Sequence, residues 1–527
     1  MTARPPRSLL IRDVHLLVTM DRNDRRFRGG YLYAEDGEIR RVGTQVPRGL
    51  SADRRTTPPM RRPPDAAVSH VPPRASRPRT LLVRDIHLLA PMDRPGRRIR
   101  GGYVYAEDGV IRRVGERVPK GLTAERVIRA PYAVAVPGLI NAHHHLCQTL
   151  TRAHPAAANA KLFDWLTTLY PVWARMDEEA VHVAALVGMA ELMLSGCTTT
   201  SDHHYLFPRG ETRLIDAEIA AARKIGIRFV ATRGSMSVGR KAGGLPPDSV
   251  VQDEETILAD SERVIRRYHD PAPGAMVQVA LAPCSPFSVS ERLMRETAVL
   301  AARHGVRLHT HLAETKDEEE YCLRRFGRRP VEFLADNGWL DDRVWVAHGI
   351  HFNRAEIRRL GRARVGVAHC PTSNMRLGSG IAPVHLLAAA GSPVGLGVDG
   401  SASNDGSHLL AEARQAMLLG RVARGADAVK VEEALEMATT GGAACLGRGD
   451  VGTLEPGKRA DIALFDLRDV GYSGAGDPLL GLLLCAPTRV HTLIVDGRPV
   501  VEDGELRTLA LEPVVERHGR IAARMLR

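Results

Sequence analysis

Two pairs of histidines and two isolated polar residues mark this sequence as chemically active. His143 and His145 lie two apart in Asn141-Ala-His-His-His, and His309 and His311 lie two apart in His309-Thr-His-Leu-Ala-Glu314. His348 closes Val344-Trp-Val-Ala-His, and Asp399 lies in Gly397-Val-Asp-Gly. Side chains alternate along a strand, so His143 and His145 share one face while His144 points the other way. Two imidazoles at this spacing, a third from a distant strand and one carboxylate form a divalent-metal site with positions left for water. That is the arrangement of a catalytic rather than a structural zinc centre. His309 has the same parity as His311, so alternation alone does not choose the third imidazole. His144, His203, His204, His351 and His369 are read as hydrogen-bonded neighbours of the pocket.

These residues recur at matching places in a repeating pattern. From Val134 onward, short apolar β-rich runs end in polar clusters and are followed by longer stretches with helical spacing. The expected strands are Ala133–Asn141, Thr198–His203, Arg228–Arg233, Met276–Ala282, Arg307–Leu312, Val344–His348, Arg364–His369 and Val394–Asp399. Eight strands with intervening helices predict an α/β fold, a (β/α)8 barrel of the TIM type, in which reactive groups gather at the C-terminal ends of the strands. A lone histidine on a strand is more often a packed residue. Candidate ligands at the ends of the first, fifth and eighth strands argue for a site instead.

Composition narrows the function classes. The chain has 527 residues, 44% hydrophobic and 25% charged, which is ordinary globular usage. No apolar run approaches the roughly 18 residues needed to span a bilayer. No apolar signal-peptide region follows the basic start Met1-Thr-Ala-Arg-Pro-Pro-Arg. The seven cysteines are scattered and never spaced C-x-x-C, which argues against a disulfide framework and for a reducing, cytoplasmic location. The net charge is +12, yet residues 1–79 hold 17 Arg and eight acids, so +9 of it lies there and the remainder is nearly balanced. The high overall charge therefore reads as a solvated Arg-rich arm rather than a nucleic-acid surface.

That basic region contains a repeat. Ser8–Arg54 realigns without a gap on Thr80–Arg126, 72 residues later, with 32 of 47 positions identical. Each copy reads as short strands around an Asp-Gly hairpin turn, Asp36-Gly37 and Asp108-Gly109. Residues 55–79, with seven Pro and six Arg, read as a linker. Only the second copy runs directly into the barrel pattern. Copy one, residues 1–54, is therefore read as a surplus duplicate, either a tandem duplication or an over-extended translation start.

Together, Pro137-Gly-Leu-Ile-Asn-Ala-His-His-His, His311-x-x-Glu314, Ala347-His348 and Gly397-Val-Asp399-Gly-x-x-x-Asn404 resemble the amidohydrolase superfamily, in its cytosine/guanine deaminase-like and triazine hydrolase branch. Asp450-Val-Gly-Thr-Leu-Glu-Pro-Gly-Lys-Arg-Ala-Asp and Val490-His-Thr-Leu-Ile-Val-Asp-Gly resemble the strands by which that family's C-terminus returns to a small β-sandwich. The resemblance covers about residues 80–527. It implies sandwich segments at 80–136 and 447–527 around a barrel at 137–446. Within the branch, His145-Leu-Cys-Gln148-Thr-Leu-Thr-Arg152, Leu162-Phe-Asp-Trp-Leu and Ser201-Asp-His-His-Tyr205 are most similar to the 8-oxoguanine deaminases.

The resemblance implies a metal-dependent hydrolytic deaminase of a purine-like heterocycle. Guanine or isoxanthopterin deaminases and triazine-type amino- or chlorohydrolases are the alternatives. It implies His143, His145, His311 and Asp399 as ligands to one divalent metal, Zn²⁺ with Fe²⁺ as the other choice. Two-metal relatives use a strand-4 lysine, whereas the nearest lysines here, Lys241 and Lys316, lie outside that strand. Asp399 would accept the proton of the attacking water, Glu314 would protonate a ring nitrogen, and His348 would hydrogen-bond the tetrahedral centre. Gln148 and Arg233 are expected to bind substrate, as an amide suits a purine edge and a guanidinium a carbonyl. No further cofactor is expected, since Gly239-Arg-Lys-Ala-Gly-Gly lacks phosphate-loop spacing. Pro283-Cys284 stands without the second cysteine of nucleic-acid-editing deaminases. Assembly into a homo-oligomer is left open. The rivals are a catalytically silent scaffold, which would have lost ligands, and nucleic-acid association through residues 1–79.

Overall fold

Eight parallel strands close into a barrel: β1 (Leu139–Asn141), β2 (Cys197–His204), β3 (Arg228–Ser235), β4 (Val277–Pro283), β5 (Arg307–Leu312), β6 (Val344–His348), β7 (Gly366–His369) and β8 (Val394–Leu396). The computed structural model describes residues 7–20, 25–56, 77–485 and 487–527, and the chain divides into two units, 1–71 and 72–527. Nearly every barrel-strand residue is buried, as expected of parallel strands covered by helices outside and packed side chains inside. Closure pairs β1 with β8 through Asn141 and Leu396. Asn141 strengthens that seam: its side-chain N–H donates to Thr200 Oγ1 (2.9 Å), and its Oδ1 accepts from Val398 N–H (2.9 Å).

The expected first and last strands break up for steric reasons. Ala133–Pro137 leaves the barrel and pairs antiparallel with Ile462–Asp466. Gly138 makes the break: a Cβ there would lie 2.2 Å from the Thr198 side chain. At the other seam, Asp399–Gly400 leaves β8 to pair with His144–His145 in a separate two-stranded ribbon. This ribbon extends the first and last strands over the mouth of the barrel. It places Asp399 beside the histidine triplet, although more than 250 residues separate them in sequence.

A nine-stranded sheet joins both ends of the second unit, with strands from residues 80–137 beside strands from residues 462–506. The C-terminal helix Leu511–Met525 does not belong to this sheet. It lies against the barrel helix Glu178–Leu194, where Arg517 pairs with Glu179 (2.6 Å) and His518 meets Thr149 Oγ1 (3.1 Å). Arg228 ties the foot of β3 to the sheet. Its buried guanidinium donates to both Asp461 oxygens (3.1 and 3.2 Å) and to the carbonyls of Gly274 and Ala275.

Copy one folds as its own four-stranded sheet, Glu38–Gly43, Arg26–Glu35, Ser8–Val18 and Arg54–Thr56. It repeats the pairing of copy two: Ser8 opposes Glu35 as Thr80 opposes Glu107, and Asp13 and Asp85 both take φ +56° at the same bulge. The Arg-rich region thus contains a folded sheet, as the strand pattern of copy one suggested, rather than a wholly solvated arm. Residues 57–76, most of the expected linker, lie outside the described residues. The two copies differ in burial. Leu88 and Ile111 are 2% and 0% exposed, whereas their counterparts Leu16 and Ile39 are 49% and 65% exposed. No strand of the nine-stranded sheet comes from copy one.

Two outcomes follow. A chain beginning at Ser76 should fold with an unchanged melting temperature and full turnover, measured by calorimetry and ammonia release. Arg228→Met should destabilise the protein by about 3–5 kcal/mol in denaturant unfolding, because the buried Asp461 charge then loses its partner.

Candidate functional site

Strand ends and the ribbon bring the reactive residues to one mouth of the barrel. His143, His145, His311, Glu314, His348 and Asp399 are all buried. His145, Glu314, His311, His348 and Asp399 line one pocket together with Gln148. His143 Nε2 and His145 Nε2 each lie 3.3 Å from Asp399 Oδ1, and His145 Nε2 lies 3.1 Å from His311 Nε2.

The protons on these rings can be placed by elimination. Burial, reinforced by the neighbouring imidazoles, lowers the pKa of His145 to about 3 and that of His311 well below the ordinary value. Burial also lowers His143, against the opposing pull of Asp399. All three rings are therefore neutral at pH 7, with one N–H each. His145 Nδ1–H donates to the His203 carbonyl (2.8 Å), and His311 Nδ1–H donates to the Cys284 carbonyl (2.7 Å). A carbonyl only accepts, so both Nε2 atoms carry lone pairs. His309 resolves the third ring: its Nδ1–H donates to the Trp345 carbonyl (2.9 Å), leaving its Nε2 to accept from His143 Nδ1–H (2.8 Å). His143 Nε2 is then a third lone pair, buried with no hydrogen-bond partner.

Three lone pairs and a carboxylate oxygen thus converge with no proton among them. Such an arrangement is repulsive unless a cation sits between the atoms. The 3.1–3.3 Å separations match the roughly 3.3 Å between ligand atoms of a tetrahedral site with bonds of about 2.0–2.1 Å. The donor set therefore fits a divalent metal. His309, which strand parity left equivalent to His311, is turned instead toward His143 and stacks on Trp345 at 4.3 Å.

The proton-handling groups surround this cluster. Burial raises Glu314 to about 7, with His348 opposing and Asp399 reinforcing. Its turn is fixed by Glu318, whose carboxylate accepts from Ala313 N–H (2.7 Å) and Glu314 N–H (3.1 Å). His348 Nδ1 meets Asn374 Oδ1 (3.0 Å), and its Nε2 faces Glu314 Oε2 at 3.6 Å. Burial alone would lower His348, but the facing Glu314 and Asp399 outweigh it and raise it. Asp399 Oδ2 accepts from Ser403 Oγ–H (3.1 Å). His348 and Asp399 adopt the left-handed region (φ +70° and +60°), which turns each strand end at the site.

Gln148 lies in the pocket as expected, fully buried, with neither amide atom hydrogen-bonded. Arg233 does not. Its buried guanidinium points away from the pocket, donating to Asp260 (2.6 Å) and Gln252 (2.9 Å) and covering the Phe207 ring at 3.7 Å. Its place at a strand end suggested a site role, but strand ends face both inward and outward. The sequence reading missed the walls: Leu162, Trp165, Tyr205, Phe287 and Leu377. Most come from loops and helices after the strands, where no periodic signal marks them, although Tyr205 follows directly on β2.

A model described as "Amidohydrolase family" matches residues 134–500. The chain is 53% identical over 426 residues to 8-oxoguanine deaminase of Pseudomonas aeruginosa, covering 81% of this chain and 95% of that protein. It is 36% identical over 453 residues to isoxanthopterin deaminase from an unknown prokaryotic organism, covering 82% and 93%. Among solved structures, atrazine chlorohydrolase from Arthrobacter aurescens TC1 complexed with zinc superposes with a TM-score of 0.81. That match has 34% identity and covers 84% of this chain and all of that one.

Substitution separates the two groups of residues. His145→Ala and His311→Ala should lose bound metal and turnover together, by metal analysis and ammonia release. Glu314→Gln should keep its metal while turnover drops ~10²–10⁴-fold.

Proposed function

The chain belongs to the amidohydrolase family, and from that premise we propose that it hydrolyses 8-oxoguanine to urate and ammonia. It is a metal-dependent hydrolytic deaminase, an enzyme acting on C–N bonds of cyclic amidines. Its substrate is a small heterocycle, and no helix among the described residues is long and apolar enough to cross a membrane. The substrate assignment rests on the 53% identity to a protein of that activity, together with a narrow aromatic-walled pocket that holds one unpaired amide.

In our reading His143, His145, His311 and Asp399 hold the metal, and Zn²⁺ is the ion. A bound divalent cation supplies the Lewis acidity that brings the pKa of water from 15.7 to about 7. Asp399 takes the proton of the attacking water, its other oxygen held by Ser403. Glu314, kept protonated near neutrality by burial, donates to the purine ring nitrogen as C2 becomes tetrahedral. His348, steadied by Asn374, hydrogen-bonds the new oxygen at that carbon. Asp399 then delivers its proton to the departing amino group, the C2–N bond breaks and ammonia leaves, while the hydroxyl proton at C2 returns to Glu314 as the carbonyl forms. The balance is one water consumed and one ammonia released. Gln148 presents both a donor and an acceptor to the purine edge, and Trp165 and Phe287 flank a planar ring.

The observation that carries this reading is the convergence of the His143, His145 and His311 Nε2 atoms and Asp399 at the barrel mouth beside the buried Glu314. We place the enzyme in the cytoplasm, since all seven cysteines are unpaired thiols.

The test is ammonia release by zinc-loaded protein from 8-oxoguanine, guanine, isoxanthopterin, cytosine and hydroxyatrazine. We expect 8-oxoguanine to have the highest kcat/KM. Brisk turnover of a triazine with none of 8-oxoguanine would overturn the assignment.

A further inference from the structure

Behind β2, on the side away from the pocket, lies a second group of ionisable residues that the reaction does not use. Asp202 and His204 project from the strand, and Glu218 meets them from the helix Leu214–Ile225; all three are 0% exposed. Their ligating atoms lie within 4.8 Å of one another. Among the described residues, neither carboxylate has a Lys or Arg partner. His204, which lies 4.0 Å from Glu218, is kept neutral by burial and by nearby Arg233. Two buried carboxylates this close do not both ionise unless a proton or a cation is shared between them. Burial raises both groups, Asp202 to about 7 and Glu218 further, Glu218 being pushed up also by Asp202. Asp202 is held the lower of the two by the hydrogen bond from Glu218 and by two backbone donors, the weaker His203 and the stronger Leu146.

The stronger donor is the link to catalysis. Leu146 N–H donates to Asp202 Oδ1 at 2.5 Å. Leu146 opens the short 3-10 turn Leu146–Thr151, directly after His145, and the turn carries Gln148. A second bolt lies alongside, where His145 Nδ1–H meets the carbonyl of His203 on the same strand. Gln148 has no hydrogen bond of its own, so the backbone of this turn determines where its amide stands. On the opposite side Gly188 lets the turn approach closely, since a Cβ there would come within 2.7 Å of Leu146.

We propose that Glu218 and Asp202 act as a proton-sharing carboxyl clamp. The protonated Glu218 donates to Asp202, and Asp202 holds Leu146 N–H, positioning His145 toward the metal and Gln148 toward the substrate. Both are positioning residues. The inference rests on the functional reading above for what the turn presents, and on geometry alone for the clamp itself.

The test compares Glu218→Gln, Glu218→Leu and Asp202→Ala with the parent chain. Gln at position 218 keeps an N–H to donate, so metal affinity and KM should stay within about twofold. Asp202→Ala and Glu218→Leu should weaken zinc binding, measured by chelator competition, by ~10–100-fold. KM should rise in both more than kcat falls in metal-saturated protein. Infrared difference spectra should show a protonated-carboxyl band lost in Glu218→Gln. Unchanged metal affinity and KM in both disrupting variants would overturn the clamp, as would Glu218→Gln being as damaged as Glu218→Leu. A second equivalent of zinc, bound by the parent and lost in Glu218→Gln, would overturn the proton assignment. If the parent turns over none of the heterocycles, the functional reading fails, and zinc affinity and the infrared band still decide the clamp.

Discussion

The site depends on where three protons are not. His145 and His311 each spend their single N–H on a backbone carbonyl, and His143 spends its own on His309, which is itself committed to the Trp345 carbonyl. Carbonyls accept only, so the chain of obligations runs one way and ends with three Nε2 lone pairs pointing at Asp399. Each of those carbonyls belongs to a barrel strand or its end, β2, β4 or β6. The tautomers are therefore fixed by the same strands that close the barrel. A metal ion relieves a repulsion that the fold has already imposed.

Two carboxyl groups in one pocket then take opposite roles because their surroundings differ. Burial opposes the charge on Asp399, but the facing His348 and the Ser403 hydroxyl that donates to it favour the charged form. Glu314 sits in a dry pocket with Asp399 nearby, and only His348 favours its ionisation. Burial leaves it protonated near neutrality, ready to give a proton where Asp399 takes one. The same rule operates in the clamp proposed behind β2, where burial raises both Asp202 and Glu218 and the pair shares a proton. Charge in this protein is apportioned by desolvation first and by neighbours second.

The duplicated N-terminal segment is a natural control on what sequence similarity delivers. Copy one reproduces the strand pairing, the bulge and even the positive φ of its aspartate. Local chemistry, alternation and turn residues suffice for that. It does not reproduce burial. In copy two the apolar residues pack into one buried cluster with Ala133, Ala135, Leu454, Ala460, Ile462 and Leu464, and copy one's sheet has only its own four strands.

By itself the sequence determined the barrel, through local and periodic alternation, and its motifs resembled the family to which the chain belongs; strand-end histidines and the His311-x-x-Glu314 spacing also named residues that gather at the barrel mouth. Its strand limits failed at Gly138, where the chain passes so close to Thr198 that no side chain fits, and after Leu396, where the Asp399 ribbon departs. Tertiary structure decided everything that hangs on direction. Alternation left His309 and His311 equivalent, and only the positions of the Trp345 and Cys284 carbonyls turned one toward His143 and left the Nε2 of the other facing His145. Arg233 and Gln148 both lay near strand ends, yet one turns outward to Asp260 and the other inward without a partner. A sequence specifies which groups a protein owns; the pairing of donors with acceptors across distant strands specifies where each of them points.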